Sequence, residues 1–139
     1  MTQFFLPMKK IPTITDQQKK ISVRYGKPVI YKPERLKKAQ DDFEALLARH
    51  VPQEKYTGGV RLIVKWLFPI TGKHRNGEYK TTKPDTDNLI KLFKDCMTRV
   101  GFWTDDALVC SEINEKFYSD TVGIFVRIEE VNHGTEPLH

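Results

Sequence analysis

The sequence predicts an α+β fold, a small mixed β-sheet with two main helices packed on it. Three observations predict it. Residues 60–68 alternate, with Val60, Leu62, Val64, Trp66 and Phe68 on one face and Arg61 and Lys65 on the other, the period of a half-buried strand. Residues 33–50 and 87–99 instead repeat their apolar side chains at helical spacing. The predicted order is strand, helix, strand, helix, strand, strand, which suits helices laid on one sheet.

Each element has its own local reason. Residues 3–7 and 10–14 read as extended, and Pro7 and Pro12 confine them to short or edge pieces. Pro28 and the run Val29-Ile30-Tyr31 give an extended approach to the first helix, where Pro33 suits the first helical position. Leu36, Ala39, Phe43, Leu46, Leu47 and His50 form that helix's apolar stripe, and Pro52 lies just past its end. The strand at 60–68 is followed by a polar segment, 71–80, whose Asn76-Gly77 is a strong turn signal.

In the second helix Leu89, Leu92, Phe93, Cys96, Met97 and Val100 share a face, and Gly101 ends it. Two strands close the fold, about 108–118 and 121–130. In the second of them Val122, Ile124, Val126 and Ile128 alternate with Gly123, Phe125, Arg127 and Glu129. Ser119-Asp120 would join them as a two-residue hairpin turn, without the glycine such turns prefer. The tail at about 132–139 is expected to be disordered.

A chain of 139 residues fits one domain, 1–139. With 39% hydrophobic and 29% charged residues it has the balance of a soluble globular protein, and no apolar run is long enough for a membrane span. Phe4-Phe5-Leu6-Pro7 is too short for a signal-peptide core and no basic segment precedes it, so a cytoplasmic location is expected. Cys96 and Cys110 form no CxxC pair and imply free thiols rather than a disulfide framework. The four histidines are scattered without zinc-ligand spacing.

Charge is distributed unevenly. Residues 1–38 carry ten Lys or Arg against Asp16 and Glu34, so a basic N-terminal arm (about 8–38) precedes a remainder of net −3 in a chain of net +5. Lys73, Arg75, Lys80 and Lys83 stand against Glu78 in a second basic segment. A basic arm beside an acidic remainder points to a polyanion partner with a separate acidic site. A solvated basic face is the bland alternative.

That acidic site is legible in one stretch. Asp85, Asp87, Asp95, Asp105 and Asp106 fall within 22 positions. Asp85 and Asp87 flank the start of the second helix, Lys91 lies one turn beyond Asp87, and Asp95 one turn beyond that. The turn at Gly101 can fold Asp105 and Asp106 back toward the same region. Clustered carboxylates repel unless a cation compensates them. Oxygen-only ligands favour magnesium or manganese over zinc. Such an ion can polarise a scissile phosphate, and a neighbouring lysine can stabilise the charge of the transition state. Taken singly, these pieces are equally well helix caps, a surface ion pair and a turn. Together, beside a basic loop, they point to a metal site that works on phosphate.

At these residues the sequence resembles the RusA-type crossover junction endodeoxyribonucleases, especially those carried by phages and prophages of Gram-positive bacteria. The shared pattern reads Asp85-Thr86-Asp87-Asn88, then Lys91, then Gly101-Phe102-Trp103-Thr104-Asp105-Asp106. The resemblance extends over most of residues 3–130. It implies a RusA-like fold, essential metal-binding aspartates at Asp85, Asp87 and Asp106, and an essential lysine at Lys91. Asp105 and Asp95 match further acids, as ligands or as neighbours of ligands. Lys116 matches a frequent basic position and, with Lys73, Arg75, Lys80 and Lys83, is expected to contact DNA.

The resemblance further implies a homodimer with two active sites, Mg2+ or Mn2+ with no small-molecule cofactor, and no membrane partner. The implied activity is resolution of Holliday junctions by paired symmetric nicks, in DNA recombination and repair. Two other classes compete. One is a non-enzymatic DNA-binding module, against which the acids beside phosphate argue. The other is a nuclease for flaps or another branched nucleic acid.

Overall fold

The computed structural model describes residues 1–13, 20–24, 27–31 and 34–131, the two short middle segments by their backbone alone. The expected tail at 132–139 and the Pro33 helix start lie outside the described residues. Strands β1 (Thr2–Pro7), β2 (Lys20–Arg24), β3 (Lys27–Tyr31), β4 (Val60–Pro69), β5 (Val109–Ser119) and β6 (Gly123–Glu130) accompany helices α1 (Glu34–Ala48) and α2 (Thr86–Val100). The fold is α+β as expected. Four strands form one mixed sheet in the order β1-β6-β4-β5; β3 contains the extended run expected at 28–31, and its pairing with β2 in a separate two-stranded ladder is not foreshadowed by the sequence pattern. Residues 11–13 join no strand.

The centre is built from the predicted periodicities. Val60, Leu62, Val64 and Trp66 of β4 are fully buried, as are Ile124, Val126 and Ile128 of β6. Leu36, Ala39, Phe43 and Leu47 of α1 and Leu89, Leu92, Phe93, Cys96 and Met97 of α2 close over that face. Phe93 is the hinge of the packing, its ring edge-on to both Phe43 and Trp66 at 5.2 Å. Removing it would leave a cavity shared by both helices and the sheet, at a cost of about 3–5 kcal/mol. Ile90 is buried as well, so the apolar face of α2 is wider than the predicted stripe.

The expected hairpin through Ser119-Asp120 is not formed. β4 lies between β5 and β6, pairing with β5 in parallel and with β6 antiparallel. Periodicity reports which face a strand buries but not which strand lies beside it. The link from Ser119 to Gly123 therefore crosses the end of β4, two strand spacings or about 10 Å. It is braced where the Asp120 N–H donates to Asn76 Oδ1 at 2.8 Å. β6 then pairs with β1, Pro7 facing Gly123. No side chain fits at Gly123, because a Cβ there would meet the Leu6 carbonyl and the Phe5 ring.

Parallel β4 and β5 with α2 between them in sequence make a β-α-β unit. Its geometry positions everything that follows. α2 starts beyond the C-terminal end of β4 and runs back, and β5 starts level with the beginning of β4, with Val109 opposite Val60.

Candidate active site

The first functional stretch sits where α2 begins. Asp85 holds the N-cap position of α2 with extended backbone (φ −73°, ψ 147°), yet its side chain makes no capping hydrogen bond. A carboxylate at an N-cap ordinarily accepts from an N–H of the first turn; here it is exposed and has no partner among the described residues. Asp87, in the first turn, is exposed too. Lys91 is exposed one turn on, and the ion pair with Asp87 that the spacing allows is not made. Neither charge has a partner among the described residues. Asp95 is half-buried further along α2.

The basic loop belongs to the same end of the sheet, and it is docked rather than free. The Gly77 N–H donates to Tyr118 O, the Tyr118 N–H to Glu78 O and the Lys80 N–H to Lys116 O, at 2.7–2.9 Å. Residues 77–80 thereby lie antiparallel alongside the C-terminal part of β5, on the outer edge of the sheet. His74 stacks on Tyr118 with ring centroids 4.1 Å apart and its Nδ1 lies 2.7 Å from Glu78 Oε2. That hydrogen bond, with a second from the Arg75 N–H, holds the Glu78 carboxyl below its usual range. Lys73, Arg75 and Lys83 are exposed. Lys80 is committed: its Nζ donates to Thr82 Oγ1 at 2.8 Å and lies over the rings of Phe68 and Tyr118. Lys116, expected to contact DNA, donates to the carbonyls of Thr82 and Pro84.

Asp105 and Asp106 are elsewhere. The chain leaves α2 through Gly101, whose left-handed φ of 101° lets its N–H bond back to Met97 O and Thr98 O. Trp103 is then buried, its Nε1–H donating to Thr98 Oγ1 at 2.7 Å. The backbone bonds to Tyr56, just ahead of β4. A single 3-10 turn, Asp106–Leu108, leads into β5. Asp105 caps that turn, its Oδ1 accepting from the Ala107 N–H at 2.8 Å. Asp106 is exposed and forms no ion pair or side-chain hydrogen bond among the described residues.

The fold of one chain thus separates the acids that the sequence spacing suggested would converge. Asp85 and Asp106 stand at opposite ends of α2, whose 15 residues span about 22 Å. Lys94 and Glu112, paired at 2.9 Å, hold the middle of α2 against the first half of β5, so the turn at Gly101 cannot bring Asp106 back to the helix start. Among the described residues no three Asp, Glu, His or Cys side chains gather into a ready metal-ligand set. Asp85 and Asp87 alone still suit magnesium, which takes hard oxygen donors and keeps most of its waters while using one or two carboxylates. Within one chain Asp106, at the other end of α2, does not join them.

The family model for Endodeoxyribonuclease RusA matches residues 10–129. The chain belongs to the RusA family. Its similarity to a crossover junction endodeoxyribonuclease rusA of Lactococcus phage r1t amounts to 31% identity, spanning 93% of this chain and 98% of that relative. An uncharacterized Bacillus subtilis protein, YqaN, is 30% identical across 80% of this chain and 85% of its own length. The acids and the lysine described above lie within the RusA match. None of the helices among the described residues is long and apolar enough to cross a membrane.

Proposed function

We propose that this RusA-family chain is a divalent-metal-dependent endonuclease that resolves four-way DNA junctions as a homodimer. The observation that carries the reading is the pair of uncommitted carboxylates at the start of α2, Asp85 and Asp87, set one turn from an uncommitted Lys91 and next to a docked basic loop. A protein that merely bound DNA would gain nothing from free acids facing phosphate. The junction specificity comes to this chain from its phage relative, which is a crossover junction endodeoxyribonuclease.

In this reading Asp85 and Asp87 of one protomer and Asp106 of its partner hold Mg2+, with Mn2+ able to substitute. An ion held there would supply Lewis acidity, polarising a phosphate and lowering the pKa of water. Lys91 donates from its ammonium to a non-bridging phosphate oxygen, where charge grows in the transition state. Lys73, Arg75 and Lys83 hold the backbone of the strand beside the acids, and the basic arm contributes further phosphate contacts. Asp105 fixes the 3-10 turn and thereby the direction of Asp106. In-line hydrolysis leaves a 5′-phosphate and a 3′-hydroxyl.

A shared site explains the homodimer physically. Two-fold symmetry makes two identical sites, each built from the helix start of one chain and the 3-10 turn of the other. Paired sites can nick two strands of like polarity across a junction. The test is cleavage of a synthetic four-way junction, a flapped duplex and a linear duplex of the same sequence, each with and without magnesium. Symmetric nicks in the junction alone, only with the metal, support the reading. Equal cutting of the linear duplex would overturn the junction assignment.

A further inference from the structure

We propose that Lys116 is a positioning residue of this site: it straps the chain segment ahead of Asp85 to β5 and so fixes where the Asp85 carboxylate is presented. The proposal rests on the reading of Asp85 as a metal ligand. Lys116 Nζ donates to Thr82 O at 2.7 Å and to Pro84 O at 2.6 Å. Its own carbonyl accepts from the Lys80 N–H at 2.9 Å. One residue of β5 therefore grips the segment 80–84 at its start, middle and end.

The segment needs such a grip. Residues 81–84 form neither helix nor strand. Pro84 has no N–H with which to bond back to the sheet. Asp85 follows directly, and its carboxylate makes no capping bond that would fix it from the helix side. The position of that carboxylate is set by the backbone on which it rides, and the Pro84 carbonyl is the last anchor before it. Outer partners that orient a ligand are worth about 10–100-fold in metal affinity. An ammonium occupied by two carbonyls is also poorly placed to serve as a phosphate contact, the role its sequence position suggests.

The test compares Lys116→Met, which removes the donors at similar volume, with Lys116→Arg, which keeps charged donors, and Lys116→Gln, which keeps a shorter, neutral amide donor. Three quantities are read on the full-length protein: amide exchange without metal, Mn2+ affinity by calorimetry without DNA, and the melting temperature. In Lys116→Met the amides of Lys80 and Leu89, bonded to Lys116 O and Asp85 O, should exchange faster. Mn2+ should bind about tenfold more weakly, while the melting temperature moves little. Lys116→Arg should restore both, and Lys116→Gln should fall between; Lys116→Gln carries the comparison if the Met variant does not fold. Unchanged Mn2+ affinity in the Met and Gln variants would overturn the proposal, and a flattened salt dependence of DNA binding alongside it would make Lys116 a phosphate contact. Mn2+ binding that Asp85→Asn leaves unaltered is a separate failure: it would remove the functional reading of Asp85 and the strap's role with it.

Discussion

Lys94 Nζ lies 2.9 Å from Glu112 Oε2, pinning the middle of α2 to the first half of β5 with the two elements running in opposite directions. Such a half-exposed pair contributes little stability, but it marks the geometry that governs the site. With α2 antiparallel to β5, Asp87 belongs to one end of the unit and Asp106 to the other.

Complementation between protomers follows. Asp87→Asn and Asp106→Asn should each abolish cleavage. When the two variants are co-expressed with different tags, half the dimers are mixed, and each mixed dimer keeps one intact site made of unsubstituted halves. Nicking should return to about a quarter of the wild-type rate, without paired resolution. The rate of strand nicking in the co-expressed sample checks this, and a completely dead mixture would place all three acids in one chain's site.

Lys91 should act on the reaction and not on the fold. Its side chain is exposed and, among the described residues, makes no ion pair that a truncation could break. Lys91→Ala should leave the melting temperature almost unchanged while turnover falls by roughly 10²-fold or more, as when a donor to transition-state charge is removed. Single-turnover cleavage and thermal melting on the same preparation separate the two effects.

Salt dependence should locate the DNA. Lys73, Arg75 and Lys83 are free to reach phosphate, whereas Lys80 is held by Thr82, Phe68 and Tyr118. Replacing the three free residues by neutral ones should flatten the slope of log K against log salt by about 0.9 for each phosphate they had neutralised. Lys80→Ala should instead loosen the loop. Junction binding in calcium, which prevents cutting, gives the slopes.

The two thiols should differ sharply. Cys96 is fully buried and burial pushes its pKa to about 11, whereas Cys110 is exposed. The thiolate is the reactive form, so at mildly alkaline pH the folded protein should take one equivalent of a maleimide, at Cys110. The second should react only on unfolding. Peptide mapping of the labelled protein reads this directly.

Both helices and the central strand were legible because burial imposes a period: β4 alternates, and α1 and α2 repeat at helical spacing. Strand neighbours were not. Val122, Ile124, Val126 and Ile128 announce a strand with one buried face, and nothing in that pattern says that β4 lies between β5 and β6. The site was half legible for the same reason. Asp85, Asp87 and Lys91 are local to one helix start, so spacing places them together. Asp106 depends on the path of the β-α-β unit, which carries it to the far end. The Lys116 strap was hidden, because a lysine in a basic protein carries no signal of whether its ammonium meets a phosphate or a carbonyl 32 residues away in sequence.

The central claim is that the free carboxylates at the start of α2 hold a metal that cuts junction DNA. It is tested most directly by wild type and Asp87→Asn acting on one labelled four-way junction in magnesium, with binding followed in parallel in calcium. Wild type should make symmetric nicks that vanish on chelation, and Asp87→Asn should bind the junction with similar affinity and cut nothing. Wild-type cleavage rates in Asp87→Asn would contradict the account.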